Sequence, residues 1–247
     1  MVLLHLAGRV GDQRVAVFQR YAKTGVGENV IDDALLEPER WVEYAETHRL
    51  AFGERQANAY PGPELALPES ATEQLEAFFA RHLRRRLGGR RTLRRMGRLA
   101  MTTAAPGSLH PRQCFCHVDR LDVPPGQVVA ASVLYLFRDP ALGGTGFYMP
   151  KRPPQDIAQL VRCAAEWPAE RFHAETGIAR GYMCDSNDWF QKVLEVEPRW
   201  NRMVAYPGTV MHSGDIRAPQ LLSDDPRRGR LTINGFFACT RALSAAA

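Results

Sequence analysis

Long hydrophobic runs are missing from this sequence of 247 residues. No apolar run approaches the roughly 20 residues that a membrane-spanning helix needs. The first ten residues, MVLLHLAGRV, have neither the cationic flank nor the long apolar stretch of a signal peptide. We therefore expect a cytoplasmic protein with no membrane partner.

Cysteine is also scarce, with five dispersed residues and no CxxC pair. This pattern excludes a disulfide scaffold and predicts reduced thiols. Cys114 and Cys116 lie close to His117, so a thiolate metal ligand has to be considered. On a strand, Phe115 and His117 would share one face and the two cysteines the other. That alternation favours a structural role for both cysteines.

The hydrophobic and charged fractions, 45% and 24%, are those of a globular protein with a sizeable core. In the N-terminal half, we predict a strand at Val15–Phe18, a loop at Lys23–Gly27 and a helix at 38–50. Ser70 and Glu73 have the spacing of a capping box that opens a second helix. The apolar residues at helical spacing that this helix should bury are Leu75, Phe78, Phe79, Leu83 and Leu87.

From about Arg112 the pattern changes to β-type runs. The predicted strands are Gln113–Val118, Val128–Phe137, Gly146–Met149, Met203–Tyr206 and Leu231–Cys239. Residues 150–200 are polar and helix-like, which predicts an insertion between two strands. The fold class is therefore α+β, with helices packed on one flank of a β-barrel or sandwich. We expect a single domain over 1–247, with N-terminal strands and supporting helices in 1–111 and the barrel core in 112–240.

A metal-ligand pattern stands out in the second half of the chain. His117 and Asp119 are two residues apart, the spacing at which side chains of extended backbone project together. Two histidines and one carboxylate can occupy one face of an octahedral iron(II) ion and leave three positions open. By itself the H-x-D pattern has little specificity, because the chain has seven histidines. It gains weight from four ordered runs that accompany it.

Those runs resemble the prolyl-4-hydroxylase-like iron(II)/2-oxoglutarate dioxygenases in residue type and order over roughly 113–237. They are Val133–Pro140, Gly143–Tyr148, Tyr206–Gly214 and Arg230–Asn234. The N-terminal half, at Val30–Asp33 and Tyr60–Gly62, is similar to an uncharacterised bacterial branch of the same oxygenases. The resemblance implies a double-stranded β-helix (jelly-roll) core, iron(II), 2-oxoglutarate as cosubstrate, dioxygen, and hydroxylation of an unactivated C–H bond.

The resemblance also implies roles for individual residues. His212 matches the distal metal ligand, which completes the set with His117 and Asp119. Arg230 matches the basic residue that grips the distal carboxylate of 2-oxoglutarate, a task suited to a guanidinium. It lies 18 positions beyond His212, whereas the family spacing is about ten, so we place a loop across 218–229. Arg217 is the rival candidate for this role.

Further side chains are candidates for the cosubstrate and the substrate. Thr232 and Tyr135 match family residues that also reach 2-oxoglutarate. The substrate is expected to be a small molecule or peptide: an amino acid, an amino-acid derivative or a peptide. The candidate substrate contacts are Asn234, Arg180, Tyr182, Asn187 and Trp189. A barrel that binds a small molecule without catalysis is a further possibility, which the intact ligand set argues against.

The formal charge of +5 conceals nine arginines between positions 81 and 98, which we call the arginine cluster. An alternative function is therefore binding or modification of nucleic acid. The cluster has no aromatic residues for base stacking, and Phe236 stands where nucleic-acid-demethylating relatives carry a second arginine. Both observations argue against nucleic acid as a partner. An acidic macromolecule that docks on a helix bearing these arginines is the partner we expect.

Overall fold

The N-terminal strand and loop predicted at Val15–Phe18 and Lys23–Gly27 lie outside the residues described by the computed structural model, which are 29–54, 60–119 and 124–242. Within these ranges, two antiparallel sheets face each other, and helices cover one side of each. The fold is thus α+β, as predicted.

The larger sheet has six strands in the order β1-β7-β4-β9-β3-β2, and the smaller has three in the order β6-β5-β8. The strands are β1 (Val30–Ile31), β2 (Glu64–Ala66), β3 (Gly89–Thr102), β4 (Gln127–Tyr135), β5 (Thr145–Pro150), β6 (Phe190–Val196), β7 (Met203–Pro207), β8 (Met211–Gly214) and β9 (Arg230–Arg241). Four of the five predicted strands are confirmed to within two residues at each end, as β4, β5, β7 and β9. Their runs of β-branched and aromatic residues fit a half-buried pleated surface.

The fifth predicted strand, 113–118, is wrong. Residues Pro111–Gln113 form a single 3₁₀ turn that His110 caps, and only His117 makes a β-bridge. Proline at the first position fixes the turn conformation and ends any extended run there. The argument that strand alternation places Cys114 and Cys116 on the face opposite His117 therefore does not hold. Both cysteines are nevertheless buried in an apolar cluster, and all five cysteines are free thiols.

Two helices, α1 (Glu39–Thr47) and α2 (Glu69–His82), support the larger sheet. The helix predicted at 38–50 is confirmed, with its last residues forming a 3₁₀ turn. The predicted capping box is wrong, because the N-cap of α2 is Pro68, two residues before Ser70, and no side chain caps the helix. The apolar residues predicted to be buried there are all buried, the last two just beyond the end of α2.

The arginine cluster also differs from its predicted form. Only its first two residues are helical, whereas residues 89–98 belong to β3, which pairs along its whole length with β9. The larger sheet thus draws strands from both sides of position 111. Most of the arginines are exposed, but Arg98 is among the less exposed ones because its side chain turns inward.

The predicted helical insertion contains α3 (Pro154–Glu166) and α4 (Ala169–Thr176). It is shorter than predicted, because residues 190–196 form β6 and pair with β5. The described residues bury three apolar clusters, one beneath α1 and α2, one beneath α3 and α4, and one between the two sheets. Among the described helices, none is long and apolar enough to cross a membrane.

Candidate metal centre and cosubstrate pocket

One group of side chains in the described residues has metal-ligand geometry. It consists of His117, Asp119 and His212, whose ligand atoms all lie within 4.8 Å of one another. Nε2 of His212 lies 3.4 Å from Oδ2 of Asp119, and Nε2 of His117 lies 3.9 Å from Oδ1. The structure therefore brings together the three residues that the sequence predicted as metal ligands.

Backbone pairing sets the spacing of the two histidines. The N–H of His117 donates to the carbonyl of His212 at 2.9 Å, and the reverse hydrogen bond is also 2.9 Å. The turn between β7 and β8 then brings Gly208 against the segment that carries Asp119. A Cβ at Gly208 would lie 2.9 Å from the Asp119 carbonyl oxygen and 2.8 Å from a methyl of Val129. This close approach requires glycine.

The orientation of His212 is fixed by its other ring nitrogen. Nδ1 lies 3.0 Å from the carbonyl oxygen of Val210. Because a carbonyl only accepts, Nδ1 carries the proton and Nε2 offers its lone pair toward the carboxylate. The rings of Tyr206 and Phe147 pack at centroid distances of 4.5 and 6.3 Å and hold the imidazole in place.

The electrostatics of the centre favour a neutral imidazole at His117. Desolvation by the surrounding protein atoms, followed by the nearby His212, lowers the pKa of His117 to about 4, although the Asp119 carboxylate acts in the opposite direction. Burial, followed by the nearby Asp119 carboxylate, raises the pKa of Tyr206 well above its ordinary value. At neutral pH, His117 is therefore an available ligand and Tyr206 keeps its proton.

The donor set fits an iron(II) ion. Oδ2 of Asp119 is buried and has no hydrogen-bond partner, although a buried charged oxygen without a partner is costly. An ion between this oxygen and the two Nε2 atoms would satisfy it. Two histidines and one carboxylate are also the ligands of the facial triad of iron(II) oxygenases.

Arg230 lies inside the barrel at the start of β9. Its Nε donates to the carbonyl of Gly143 at 3.1 Å, Nη2 to that of Gly144 at 2.9 Å, and Nη1 to Oγ1 of Thr102 at 3.4 Å. A Cβ at Gly143 would lie 1.9 Å from the Asp215 carbonyl oxygen, so this turn needs glycine. The glycines thus let the backbone supply carbonyls that hold the buried guanidinium.

The other two predicted cosubstrate residues lie on adjacent strands beside Arg230. Tyr135 of β4 and Thr232 of β9 are cross-strand partners. The Tyr135 hydroxyl is 2.7 Å from Oγ1 of Thr145, and Thr232 Oγ1 donates to the carbonyl of Ala100 at 3.3 Å. Arg217, the rival of Arg230, is instead half-exposed and ion-paired with Asp185 at 3.0 Å. Its role as the cosubstrate residue has no support in this placement.

The predicted substrate residues are spread over two regions. Asn234 is 4% exposed and lies inside the barrel, with an Oδ1 that has no hydrogen-bond partner. Arg180 is exposed and pairs with Glu170, whereas Asn187 accepts the backbone N–H of Trp189.

Nε1 of Trp189 donates to the backbone carbonyl of Thr176. The hydroxyl of Tyr182 donates to the backbone carbonyl of Ala104. Four of the predicted residues thus contact the helical layer and its neighbours: Arg180, Asn187, Trp189 and Tyr182. Substrate contact by these four residues stays a prediction.

Three polar residues of the interior were not singled out from the sequence. Tyr206 belongs to the run Tyr206–Gly214, Arg98 belongs to the arginine cluster, and Glu64 belongs to no sequence motif. Nη1 of Arg98 lies 2.8 Å from a carboxylate oxygen of Glu64, which is buried. Alternation along β3 distinguishes Arg98 from the exposed Arg95 but not from Arg94, which lies on the same face of the strand.

A solved structure shares this fold. HygX from Streptomyces hygroscopicus, solved with nickel and 2-oxoglutarate bound, has a TM-score of 0.50 and 15% identity, over 93% of this chain and 87% of HygX. A Pseudomonas putida prolyl-4-hydroxylase has a TM-score of 0.46 and 17% identity, over 91% of this chain and 97% of its own. No curated protein matches the chain. Fold and site together define a double-stranded β-helix protein with a two-histidine, one-carboxylate group.

Within this class the chain belongs to a family of unknown function, DUF6445, whose profile matches residues 16–237. The match includes both sheets except the last residues of β9, all four helices and every candidate site residue. The family description names no activity, so the chemistry has to be argued from the side chains.

Proposed function

We propose that this protein is an iron(II)- and 2-oxoglutarate-dependent dioxygenase that hydroxylates an unactivated C–H bond of an amino acid, an amino-acid derivative or a peptide. The observation that carries the proposal is the buried, unpartnered Oδ2 of Asp119 between the Nε2 atoms of His117 and His212. A bacterial branch of the prolyl-4-hydroxylase-like oxygenases is the setting we infer from the sequence.

Iron(II) would be held by the three ligand atoms and, with 2-oxoglutarate and dioxygen, would supply the oxidising chemistry. These residues would supply one carboxylate oxygen and two imidazole nitrogens, fewer ligands than iron(II) accepts, so the ion could also bind other molecules. His212 would bind the ion through Nε2, because the carbonyl of Val210 holds the proton on Nδ1. The apolar cluster between the sheets excludes water from one side of the centre.

Arg230 would bind the distal carboxylate of 2-oxoglutarate. A guanidinium has five N–H donors, and Arg230 uses three of them on protein oxygens, one from each nitrogen. Each terminal nitrogen therefore keeps one N–H for a carboxylate. Tyr135 and Thr232 would add hydroxyl groups to the same pocket. Burial strengthens such charge-assisted hydrogen bonds, since no water competes for the donors.

Anaerobic titration tests this function. Iron(II) added with 2-oxoglutarate should produce a visible charge-transfer band at one ion per chain, and air should then yield succinate. The matched variants are His212→Ala, which should give no band, and Arg217→Ala, which should behave as the unaltered protein. Absence of the band with intact, folded protein would remove the proposal.

A further inference from the structure

A second buried arginine lies within the same barrel as Arg230. Arg98 of β3 is the cross-strand partner of Asn234 on β9, and Thr102 is the partner of Arg230. Because these pairs are an even number of residues apart, all four side chains lie on one face of the sheet. This face also carries Phe236, which packs in the apolar cluster between the sheets. Arg98 therefore points into the barrel.

An ion pair holds Arg98 in place. Nη1 contacts both carboxylate oxygens of Glu64, at 2.8 and 3.0 Å, and the guanidinium carbon lies 4.7 Å above the ring of Phe236. The side chain of Glu64 is 1% exposed and that of Arg98 is 15% exposed. Each charge neutralises the other, which makes the burial of both tolerable.

Two polar atoms beside this pair have no partner. Nε of Arg98 and Oδ1 of Asn234 are both buried and make no hydrogen bond. The first is a donor and the second an acceptor. A buried polar group without a partner costs free energy, so an adjacent donor and acceptor that both lack partners indicate a site for a ligand with groups of both kinds.

We propose that Arg98, Glu64 and Asn234 bind the headgroup of a free α-amino acid, which is the substrate of the proposed oxygenase or its recognised part. The carboxylate of the amino acid would accept from Nε of Arg98. Its ammonium group would donate to Oδ1 of Asn234 and to Glu64. This inference rests on the proposed function for the reaction, although the headgroup site itself does not require it.

Charge balance favours this ligand over a simple anion. The Arg98–Glu64 pair is neutral, so a lone carboxylate would bring an unbalanced charge into a buried site. A zwitterion adds one charge of each sign and places each next to its opposite. Uncompensated charge is expensive inside a protein, so the neutral combination is the stable one.

The two arginines are held by different partners at different points along the sheet, Arg230 by Gly143 and Gly144 and Arg98 by Glu64. Arg98 and Thr102 are four residues apart on β3, and Thr102 is opposite Arg230. With a rise of about 3.3 Å per residue, the two arginine Cα positions differ by roughly 13 Å along the strands. One guanidinium is thus left for the distal carboxylate of 2-oxoglutarate and the other for a second molecule.

Calorimetric titration with the twenty standard L-amino acids tests the inference. Each is titrated into the protein alone and, without oxygen, into the protein loaded with iron(II) and 2-oxoglutarate. For any amino acid that binds, its methyl ester and its N-acetyl form are titrated next. The variants are Arg98→Gln and Asn234→Ala, with Arg95→Gln as the matched control, because Arg95 pairs with Glu69 on the outside of the same strand.

At least one free amino acid should bind, and blocking either end of its headgroup should weaken binding at least about tenfold. Arg98→Gln and Asn234→Ala should cause a loss of similar size, whereas Arg95→Gln should cause none. Should Arg98→Gln fail to fold because Glu64 loses its partner, Asn234→Ala decides the matter alone, since it keeps the ion pair.

The inference is overturned if no free amino acid binds, if ester and N-acetyl forms bind as well as the parent, or if Asn234→Ala binds like the unaltered protein. Failure of the proposed function looks different. In that case the charge-transfer band is absent, while titration of the protein without iron still reports on the headgroup site.

Discussion

Replacement of Arg230 by alanine is the sharpest test of the cosubstrate pocket. The change removes the two N–H groups that remain for a carboxylate and leaves the three metal ligands untouched. A hydrogen bond to a charged group contributes about 1.5–3 kcal/mol, so the loss of two costs about 3 kcal/mol or more. At 1.4 kcal/mol per tenfold, the dissociation constant of 2-oxoglutarate should rise by roughly 100-fold or more.

The assay is an anaerobic titration of the iron(II)-loaded protein with 2-oxoglutarate, followed at the charge-transfer band. Iron affinity, measured separately without 2-oxoglutarate, should stay the same. The variant also leaves the carbonyls of Gly143 and Gly144 without their buried donor, so thermal unfolding must be recorded beside it. Arg230→Lys retains the charge but not the fork, and we expect it to give an intermediate affinity.

Arg217→Ala and Arg98→Gln complete this set of variants. Arg217 is at the surface, so its replacement should leave the affinity for 2-oxoglutarate unchanged. Replacement of Arg98 should lower only the affinity for the amino acid. If Arg98→Gln weakens the binding of 2-oxoglutarate more than Arg230→Ala does, the cosubstrate lies at the Arg98 end of the barrel. The assignment of the two arginines would then have to be exchanged.

Alanine at His117 or His212 should abolish both iron(II) binding and succinate formation, and full succinate production by either variant would remove that histidine from the centre. Asn201→Ala should lower the free energy of unfolding by about 1–3 kcal/mol in urea titrations, because it deletes two buried hydrogen bonds to the backbone of Leu35; an unchanged midpoint would contradict this. The arginine cluster should bind poly-L-glutamate, and salt should weaken this binding because the Debye length is only about 8 Å at physiological ionic strength. Glutamine at four exposed arginines should abolish the binding. These four are Arg85, Arg86, Arg90 and Arg91. Equal binding by that variant would show that the arginine cluster only solvates the surface.

In the larger sheet, local pattern predicted β4, β7 and β9 but not β3. The strands at 127–135 and 230–241 are rich in β-branched and aromatic residues, and these runs were recognised. In β3 the exposed positions carry arginines, which have no preference for strands, so the run looked like the end of a helix. What makes it a strand is its pairing with β9, and such long-range pairing is invisible to local propensity.

The candidate site divides in the same way. His117 and Asp119 were predicted from their spacing, and His212 from the resemblance of the ordered runs to the iron(II)/2-oxoglutarate dioxygenases. Arg98 was not, since nothing in the sequence separates it from the other arginines of the cluster. Its interior position follows from the register that sets it opposite Asn234.

The pair of backbone hydrogen bonds between His117 and His212 means that sheet pairing, and not the ion, sets the ligand geometry. Divalent ions then compete on intrinsic affinity, which for such ligands increases from iron(II) through nickel(II) to copper(II). Inside a cell, occupancy would be decided by which metals are in free supply. In the laboratory, protein purified on a nickel resin would carry nickel(II) in place of the proposed iron(II), so chelation and reloading with iron(II) must precede every activity measurement.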